Sequence, residues 1–487
     1  MRARVSGALQ ADSRRVGAGD GFVAWPGAAT DGRAHVASAL AQGATACLVE
    51  QQGAEAFAFG SDSVAAYTGL KSATGPIAAA YYEDPSRQLD LLAVTGTNGK
   101  TSTAWWLAEV LSKQELVAHG PCGVVGTLGI GVPPELVYTG LTTPDPVTLQ
   151  RELRSFVERG FRACAIEASS IGIAERRLDG TQIAIAVFTN FTQDHLDYHG
   201  SMDAYWQAKV ELFRWSGLRA AVINIDDVHG ASLVGNLLDA DTGALDVWTT
   251  SAEGGSARLA ARNVGYGPQS GLQFEVVEQG VAPEHLVTTM IGHYNVANLL
   301  GVLGALRALG LTLVEAVTAC QGLSSVPGRM ERVGLPGGPL AVVDYAHTPD
   351  ALDKALAGLR PLAAQRGGRL WCLFGCGGDR DPIKRPMMAA VAEAQADRVV
   401  VTSDNPRGEK PAAIIGQILR GFADPDAVQV EPDRARAIAQ TLAQAASVDV
   451  VLVAGKGHEA WQEIAGERIL FSDRTHVQDA LEQRSRA

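Results

Sequence analysis

The chain reads as an α/β protein of about three domains built around largely parallel sheets, and three observations predict it. Its 487 residues are too many for one hydrophobic core. Short apolar runs at 91–94, 163–166, 183–188 and 220–224 alternate with helical stretches, the pattern of βα units. Two proline-bearing polar breaks, Glu83-Asp84-Pro85-Ser86 and Ser325-Val326-Pro327-Gly328, divide the chain near 87 and 326.

Each part follows in order. Residues 1–87 carry short apolar runs at 21–25 and 44–49 around a helical stretch at 34–42, a small α/β domain. Residues 88–326 hold the strand–helix alternation. Residues 327–487 hold four more apolar runs, at 340–343, 370–374, 399–401 and 450–453. No internal repeat or low-complexity segment interrupts them.

Composition excludes several function classes. With 46% hydrophobic and 19% charged residues the chain is that of an ordinary globular protein. Its net charge of −12, from 53 acidic and 41 basic residues with no basic block, argues against nucleic-acid binding. No apolar run reaches the about 18 residues that a bilayer requires, and residues 1–15 have no signal-peptide core, so no membrane insertion is expected. The six cysteines, at 47, 122, 164, 320, 372 and 376, lack paired metal-type spacing and several lie in strand-like runs. They read as reduced core residues, which places the chain in the cytoplasm.

The strand at 91–94 runs into Thr95-Gly96-Thr97-Asn98-Gly99-Lys100-Thr101-Ser102, with a helix expected from near Thr103. Strand, glycine loop, lysine, hydroxyl and helix start are the parts of a phosphate cradle. Backbone N–H groups meet the anion, Lys100 neutralises it, and Thr101 reaches a magnesium ion. The common phosphate-loop template has a further glycine where Val94 stands, so this loop is a shortened form. Glu167 ends the strand at 163–166, where a magnesium-binding carboxylate is expected. The polar run Thr189-Asn190-Phe191-Thr192-Gln193-Asp194-His195-Leu196-Asp197-Tyr198-His199-Gly200 follows another apolar strand. Alone it would serve equally to cap a helix; beside a phosphate loop it reads as metal-binding.

Each C-terminal apolar run ends in polar or glycine-rich residues: Asp344-Tyr345-Ala346-His347-Thr348-Pro349-Asp350, Gly375-Cys376-Gly377-Gly378-Asp379-Arg380-Asp381, Asp404-Asn405-Pro406-Arg407 and Gly455-Lys456-Gly457-His458-Glu459. In open α/β sheets ligands bind at the carboxyl ends of strands, so four such ends in succession indicate a binding edge. Arginines with adjacent acids suit a charged, zwitterionic ligand.

Taken together these segments resemble the Mur ligase family, over nearly the whole chain. The shortened Thr95–Thr101 loop is similar to that superfamily's, which also includes folylpolyglutamate synthetase. Asp194-His195-Leu196-Asp197-Tyr198-His199-Gly200, Gly292-His293-Tyr294-Asn295-Val296-Ala297-Asn298 and Asp344-Tyr345-Ala346-His347-Thr348-Pro349 match its central and C-terminal signatures. The resemblance implies three domains: a UDP-sugar-binding one at 1–87, a central P-loop ATPase with a mainly parallel sheet at 88–326, and a Rossmann-like amino-acid-binding one at 327–487. It implies an ATP-dependent, amide-forming ligase of peptidoglycan synthesis, working through an acyl phosphate. The implied reaction adds meso-2,6-diaminopimelate to the D-glutamate carboxylate of UDP-N-acetylmuramoyl-L-alanyl-D-glutamate, in a monomer that uses Mg2+ and ATP.

Site residues follow by the same resemblance. Gly96 to Ser102, His293, Asn295, Asn298, Arg329 and Asp344 surround ATP. Thr101, Glu167 and His195 contact magnesium, and Lys209 matches a lysine that these ligases carbamylate, supplying another metal ligand. Lys100, Lys209 and His195 form the catalytic set. The UDP-muramoyl dipeptide meets Ser13, Ala28, Ala29, Thr30, Thr142, Thr143, Ser169, Glu175 and Arg177. Diaminopimelate meets Arg380, Asp404, Asn405, Pro406, Arg407, Gly455 and Glu459. Three positions depart from the diaminopimelate-adding pattern: Ala11 for leucine, Leu141 for asparagine and Glu175 for glutamine, the last placing an acid near an anionic substrate.

The nearest alternative is a related ligase that adds L-lysine, D-alanyl-D-alanine or polyglutamate; Asp404-Asn405-Pro406-Arg407, which resembles the diaminopimelate-reading motif, counts against it. A P-loop switch or motor would need no amino-acid site and would leave the polar C-terminal strand ends at 344–350, 375–381, 404–407 and 455–459 without a role. A nicotinamide dehydrogenase would need a dinucleotide spacing that Gly375-Cys376-Gly377-Gly378-Asp379 lacks.

Overall fold

The computed structural model describes residues 3–27, 30–113, 116, 118–239, 245–267, 271–334 and 337–486. Its contacts group the chain into two compact units: 1–191 with 198–249 and 304–311, and 192–197 with 250–303 and 312–487.

The first unit contains two sheets. Leu9–Gln10, Gly21–Ala24, Ala46–Glu50 and Val64–Tyr67 form a four-stranded, all-parallel sheet in that order. The expected helix at 34–42 begins as a tighter 3-10 turn, Gly32–His35, and becomes α-helical at Val36–Ala41. Five parallel strands then lie in the order Ala220–Asn224, Ile185–Phe188, Asp90–Thr95, Ala163–Glu167 and Cys122–Gly126. Gly129–Val132 and Glu135–Val137 extend this sheet with antiparallel pairings that the sequence pattern did not signal. Leu91, Leu92, Ala93 and Val94 are all fully buried, which explains the unbroken apolar run: a parallel strand covered on both faces has no solvent side to make polar. Each of the larger side chains contributes about 1.5–3 kcal/mol on burial.

The helix after the phosphate loop is Lys100–Leu111, three residues earlier than expected. Gly99, with φ +87°, makes the sharp turn that lets the helix start at the lysine itself. Ten of its residues are buried, so it lies inside the unit rather than on its surface.

The second unit holds an antiparallel ribbon, Leu259–Tyr266, Leu272–Glu278 and Glu284–Val287, also not signalled by the sequence. Its main sheet has six strands in the order Glu331–Val333, Leu340–Asp344, Val450–Ala454, Leu370–Phe374, Arg398–Val401 and Gln429–Val430. All but the first are parallel. The strand latest in sequence, Val450–Ala454, is inserted between the second and third, so the chain reverses direction across the sheet there. The four expected C-terminal strands are therefore neighbours, with their carboxyl ends on one edge. Leu352, Leu356, Leu359, Phe374, Met388 and Ile418 form the core on one face, and Trp371, Ile438, Leu442 and Leu481 form it on the other. All six cysteines are buried and free.

Candidate active site

In the first unit the phosphate loop is tied to neighbouring strand ends by neutral groups. Asn190 accepts from the Thr97 amide through its carbonyl (2.8 Å) and from the Asn98 amide through its side chain (2.9 Å). Thr189 Oγ1 donates to the Asn98 carbonyl at 2.6 Å. Gly96, with φ +147°, lets the loop pass over Thr189, whose Oγ1 would sit 1.9 Å from any Cβ placed there.

Two lysines converge on one acceptor. Lys100 Nζ donates to the Gly96 and Thr97 carbonyls at 2.9 and 2.8 Å, and Lys209 Nζ donates to the Gly96 carbonyl at 2.7 Å. Lys209 is 1% exposed and its ammonium lies 4.4 Å from the centre of the Tyr205 ring. The Tyr205 hydroxyl is 3.1 Å from Thr97 Oγ1, so this tyrosine holds the loop and the lysine together. A solvated helix lysine would have none of these contacts.

Glu167 is buried at the end of its strand, with hydroxyl and amide donors gathered around it. Thr101 Oγ1 donates to Oε2 at 2.9 Å, and the Thr127 amide donates to Oε1 at 2.8 Å. Gly126 leaves room for this carboxylate, since a Cβ there would approach Oε1 to 2.2 Å. Thr143 Oγ1 donates to the Glu167 carbonyl (2.7 Å) and lies 2.9 Å from Ser169 Oγ. Arg177 Nη1 donates to the Thr143 carbonyl at 3.0 Å, and Thr142 Oγ1 is 3.0 Å from Thr127 Oγ1. Thus Thr101, Thr142, Thr143, Glu167, Ser169 and Arg177 form one connected patch.

The acid at 175 has its own partners. Lys71 Nζ lies 2.8 Å from Glu175 Oε2, and the Tyr198 hydroxyl donates a short hydrogen bond to Oε1. Burial alone would raise the Glu175 carboxyl, but Lys71 and Tyr198 outweigh it and hold the group below its ordinary value. The charge that departs from the family pattern is therefore neutralised within the protein. In the N-terminal part, Ser13 opens a 3-10 turn capped by Asp12, and the Thr30 carbonyl accepts from Gly27 at 2.9 Å. Ala28 and Ala29 lie outside the described residues.

In the second unit His195 has left-handed backbone (φ +51°) and its Nε2 is 3.5 Å from Asp194. His293 meets Tyr266 edge-on, while Asn295 and Asn298 are buried and linked at 3.1 Å. Asp344 accepts from the Met330 amide (2.7 Å) and the Ala346 amide (2.8 Å). Burial pushes the Asp344 carboxyl up, against the opposing pull of Arg329 and these two amides. Arg329 lies over the Tyr345 ring at 4.4 Å. Among the described residues no three His, Cys, Asp or Glu side chains converge to hold a metal.

The strand ends at 375–381, 404–407 and 455–459 meet as the sequence predicted. Arg407, at φ +50°, donates from Nη1 to the Gly378 carbonyl at 2.7 Å, and its nearest paired carboxylate, Glu463, is 3.8 Å away. Glu409 does not compete for it, because Arg385 grips that carboxylate with two bonds of 2.7 and 2.9 Å. This fork pulls the Glu409 carboxyl down to about 2. Arg380 is exposed beside Asp379. Asp404 is nearly buried, with Oδ1 bonded to the Asn405 amide and Oδ2 lacking any hydrogen-bond partner among the described residues. The Asn405 side chain accepts at Oδ1 from Lys456 Nζ (2.9 Å) and the Glu463 amide (3.0 Å), and donates from Nδ2 to Glu459 at 2.7 Å. Asn405 therefore serves chiefly to lock the loops together. Lys456, Arg385 and Tyr205 were not singled out from the sequence as site residues; nothing in local spacing marks them.

Comparison with known proteins decides the family. Residues 94–306 match the Mur ligase middle domain, 328–457 the Mur ligase glutamate ligase domain, and 7–76 the catalytic domain of the Mur ligase family. The chain belongs to the Mur ligase family. It is 60% identical over 487 residues to the UDP-N-acetylmuramoyl-L-alanyl-D-glutamate–2,6-diaminopimelate ligase of Acidovorax sp. strain JS42, covering 99% of this chain and 96% of that one. It is 47% identical to the ligase of the same name from Pseudomonas aeruginosa, over 97% and 94%. A solved structure of a protein of that name superposes with a TM-score of 0.69 at 35% identity, covering 98% of this chain and 95% of that one. A MurF ligase from Thermotoga maritima in complex with ADP shares the fold, with a TM-score of 0.66 at 18% identity over 99% and 98%. As a Mur ligase the protein is an ATP-dependent, amide-forming enzyme that acts on small molecules. No described helix is long and apolar enough to cross a membrane.

Proposed function

We propose that this Mur ligase adds meso-2,6-diaminopimelate to the D-glutamate carboxylate of UDP-N-acetylmuramoyl-L-alanyl-D-glutamate, as a monomer in the cytoplasm. The observation that carries the choice of amino acid is Arg407, whose guanidinium bonds the Gly378 carbonyl at 2.7 Å and, among the described residues, is paired with no carboxylate closer than Glu463 at 3.8 Å. Diaminopimelate differs from lysine by a distal carboxylate, which such a fork can take with two parallel N–H bonds. Arg380 adds charge on the same side. Asp404, with an unpartnered Oδ2, and Glu459 offer acceptors for ammonium, and Gly455 leaves the space: a Cβ there would lie 2.6 Å from Asp404 Oδ2.

A carboxylate is a poor acyl donor until its oxygen becomes a leaving group. In the proposed reaction the D-glutamate carboxylate attacks the γ-phosphorus of ATP, releasing ADP and forming an acyl phosphate. The amine then attacks the acyl carbon, and phosphate leaves from the tetrahedral intermediate. Lys100 and the amides at the start of its helix, Gly99 to Ser102, are assigned to the charge that builds up on the transferred phosphoryl group, the Thr97 and Asn98 amides being held by Asn190. His293, Asn295, Asn298, Arg329 and Asp344 are assigned to the nucleotide. Ser13, Ala28, Ala29, Thr30, Thr142, Thr143, Ser169 and Arg177 are assigned to the UDP-linked substrate, with Glu175 acting through Lys71 and Tyr198. Domain roles follow as 1–87 for the UDP-sugar, 88–326 for ATP and 327–487 for the amino acid.

Magnesium fits the oxygen donors Thr101 and Glu167, whose side chains lie 2.9 Å apart beside the loop; His195 is assigned to the metal by the family resemblance alone. When bound, the ion neutralises phosphate charge. Lys209, buried beside the loop, is assigned as a carbamate, an anion where an ammonium would repel the metal.

Phosphate release from ATP tests the proposal, measured with the UDP-muramoyl dipeptide and candidate amino acids added one at a time. Diaminopimelate alone should support rapid turnover; equal use of lysine would refute the assignment.

A further inference from the structure

Against the strand ends that carry the amino-acid loops lies an ion pair that none of the proposed contacts includes. Arg434 and Asp473 are both completely buried. Arg434 Nε and Nη2 donate to the two oxygens of Asp473 at 2.7 Å each. The remaining donors reach two strand ends: Nη2 bonds the Ala454 carbonyl at 2.9 Å and Nη1 bonds the Ser403 carbonyl at 3.2 Å. Those carbonyls immediately precede Gly455 and Asp404. The two strands concerned, Val450–Ala454 and Arg398–Val401, are not neighbours, because Leu370–Phe374 runs between them. One guanidinium therefore spans the end of the intervening strand and sets the separation of the two loops.

The location is electrostatically costly, which makes a purely architectural role a poor explanation. Arg434 is the first residue of the helix Arg434–Gln444, where the helix dipole disfavours a cation. A buried pair is also weak evidence for stability, since apolar side chains of similar volume often serve a core as well or better. What apolar side chains cannot do is donate to two carbonyls at once. Burial works against the Arg434 charge, but Asp473, and beyond it Asp404 and Glu459, hold its proton above the ordinary value. The cation thus lies within the field of the two acids that face the amino acid.

We propose that the Arg434–Asp473 pair is a positioning element for the incoming amino acid, holding Asp404 and Gly455 at the spacing that its ammonium-bearing end requires. The inference rests on the proposed amino-acid site, but not on the identity of the amino acid. The pair touches no substrate; it acts through the carbonyls of Ser403 and Ala454. A misplacement of about 1 Å at such a site costs on the order of 10–100-fold.

The test measures Michaelis constants for all three substrates in the full-length enzyme, using whichever amino acid supports wild-type turnover. Asp473→Asn and Arg434→Lys should raise the constant for the amino acid about 10- to 100-fold. Those for ATP and the UDP-linked substrate should stay within about twofold, and kcat at saturating amino acid should stay near the wild-type value. The double variant Arg434→Met with Asp473→Leu separates the roles, because an apolar pair can restore the thermal midpoint without restoring the two carbonyl bonds. It should be stable yet keep the raised constant. Michaelis constants do not depend on the active fraction, so partial unfolding does not mask the result. An unchanged amino-acid constant in folded variants, or a loss of turnover that excess amino acid does not recover, would overturn the positioning role. If wild-type enzyme prefers lysine, the diaminopimelate assignment fails while this inference is still tested on lysine.

Discussion

The phosphate loop and the amino-acid edge solve different problems with different materials. Around residues 95–102 the ties to neighbouring strand ends are neutral, from Thr189, Asn190 and the Tyr205 hydroxyl, and the charged groups Lys100, Lys209 and Glu167 bond neutral loop atoms. Along the edge at 375–381, 404–407 and 455–459 the supports are ion pairs with buried cations: Arg385 with Glu409, Lys456 with Glu459, and Arg434 with Asp473. A phosphate is recognised by its charge and shape alone, so one contiguous loop of amides suffices. Choosing one amino acid among similar ones requires fixed charges at fixed separations, and these come from segments far apart in the chain. Changes in the first region should therefore affect chemistry with every amino acid, and changes in the second should affect the choice.

The largest effect should come from Lys100→Ala, which removes the cation of the phosphate loop. We expect kcat to fall about 100- to 1000-fold whichever amino acid is supplied. Retained activity would erase the distinction between the two regions. Arg407→Ala comes next. Losing a charge-assisted fork should raise the Michaelis constant for diaminopimelate about 10- to 100-fold while leaving that for ATP nearly unchanged. Parallel rises in both constants would show that the edge does not act on the amino acid alone.

Lys209→Ala sharpens the comparison from the other side, since Lys209 shares the Gly96 carbonyl with Lys100. Activity should fall by roughly 10- to 100-fold, with partial recovery on adding a short-chain carboxylate that replaces the carbamate. Equal loss without any recovery would leave Lys209 as a support for the loop only.

What the sequence revealed follows the same division. The loop at 95–102 was legible because its parts are consecutive and its function lies in the backbone. Glu167 was legible as a carboxylate ending an apolar strand. Lys209 was singled out only through family resemblance, because its burial against Tyr205 depends on a helix docking more than a hundred residues from the loop. Arg434 and Asp473, 39 residues apart, carry no local mark at all: each looks like an ordinary polar residue at a helix start. The antiparallel ribbon at 259–287 escaped for a related reason, since its strands mix apolar and polar residues in short runs that turn signals alone do not order. At 175 the sequence showed an acid out of pattern, and only the structure shows Lys71 neutralising it.

The smallest expected effect concerns His458, which lies between Lys456 and Glu459 in sequence and meets the Tyr345 ring at 5.2 Å. Burial, with Arg329 and Lys456 adding to it, lowers its pKa from the usual 6.5 to about 3, and its Nδ1 has no hydrogen-bond partner among the described residues. Below pH 6.5 the unfolded chain binds a proton at this imidazole that the folded protein refuses. Its contribution to stability is therefore fully present above about pH 6.5 and is lost as the pH falls toward 3. Across that window the slope from one such proton is at most about 1.4 kcal/mol per pH unit, and partial exposure of the ring makes it smaller. Carboxylates such as Glu409 also lose stabilising charge in acid, so the comparison must be with a variant that keeps them. Thermal midpoints of wild type and His458→Gln should diverge as pH is lowered from 7 to 4.5, with the wild type losing more. Parallel curves would mean that His458 takes up its proton as readily in the folded enzyme as in the unfolded chain, and that the edge's cations do not extend their field to it.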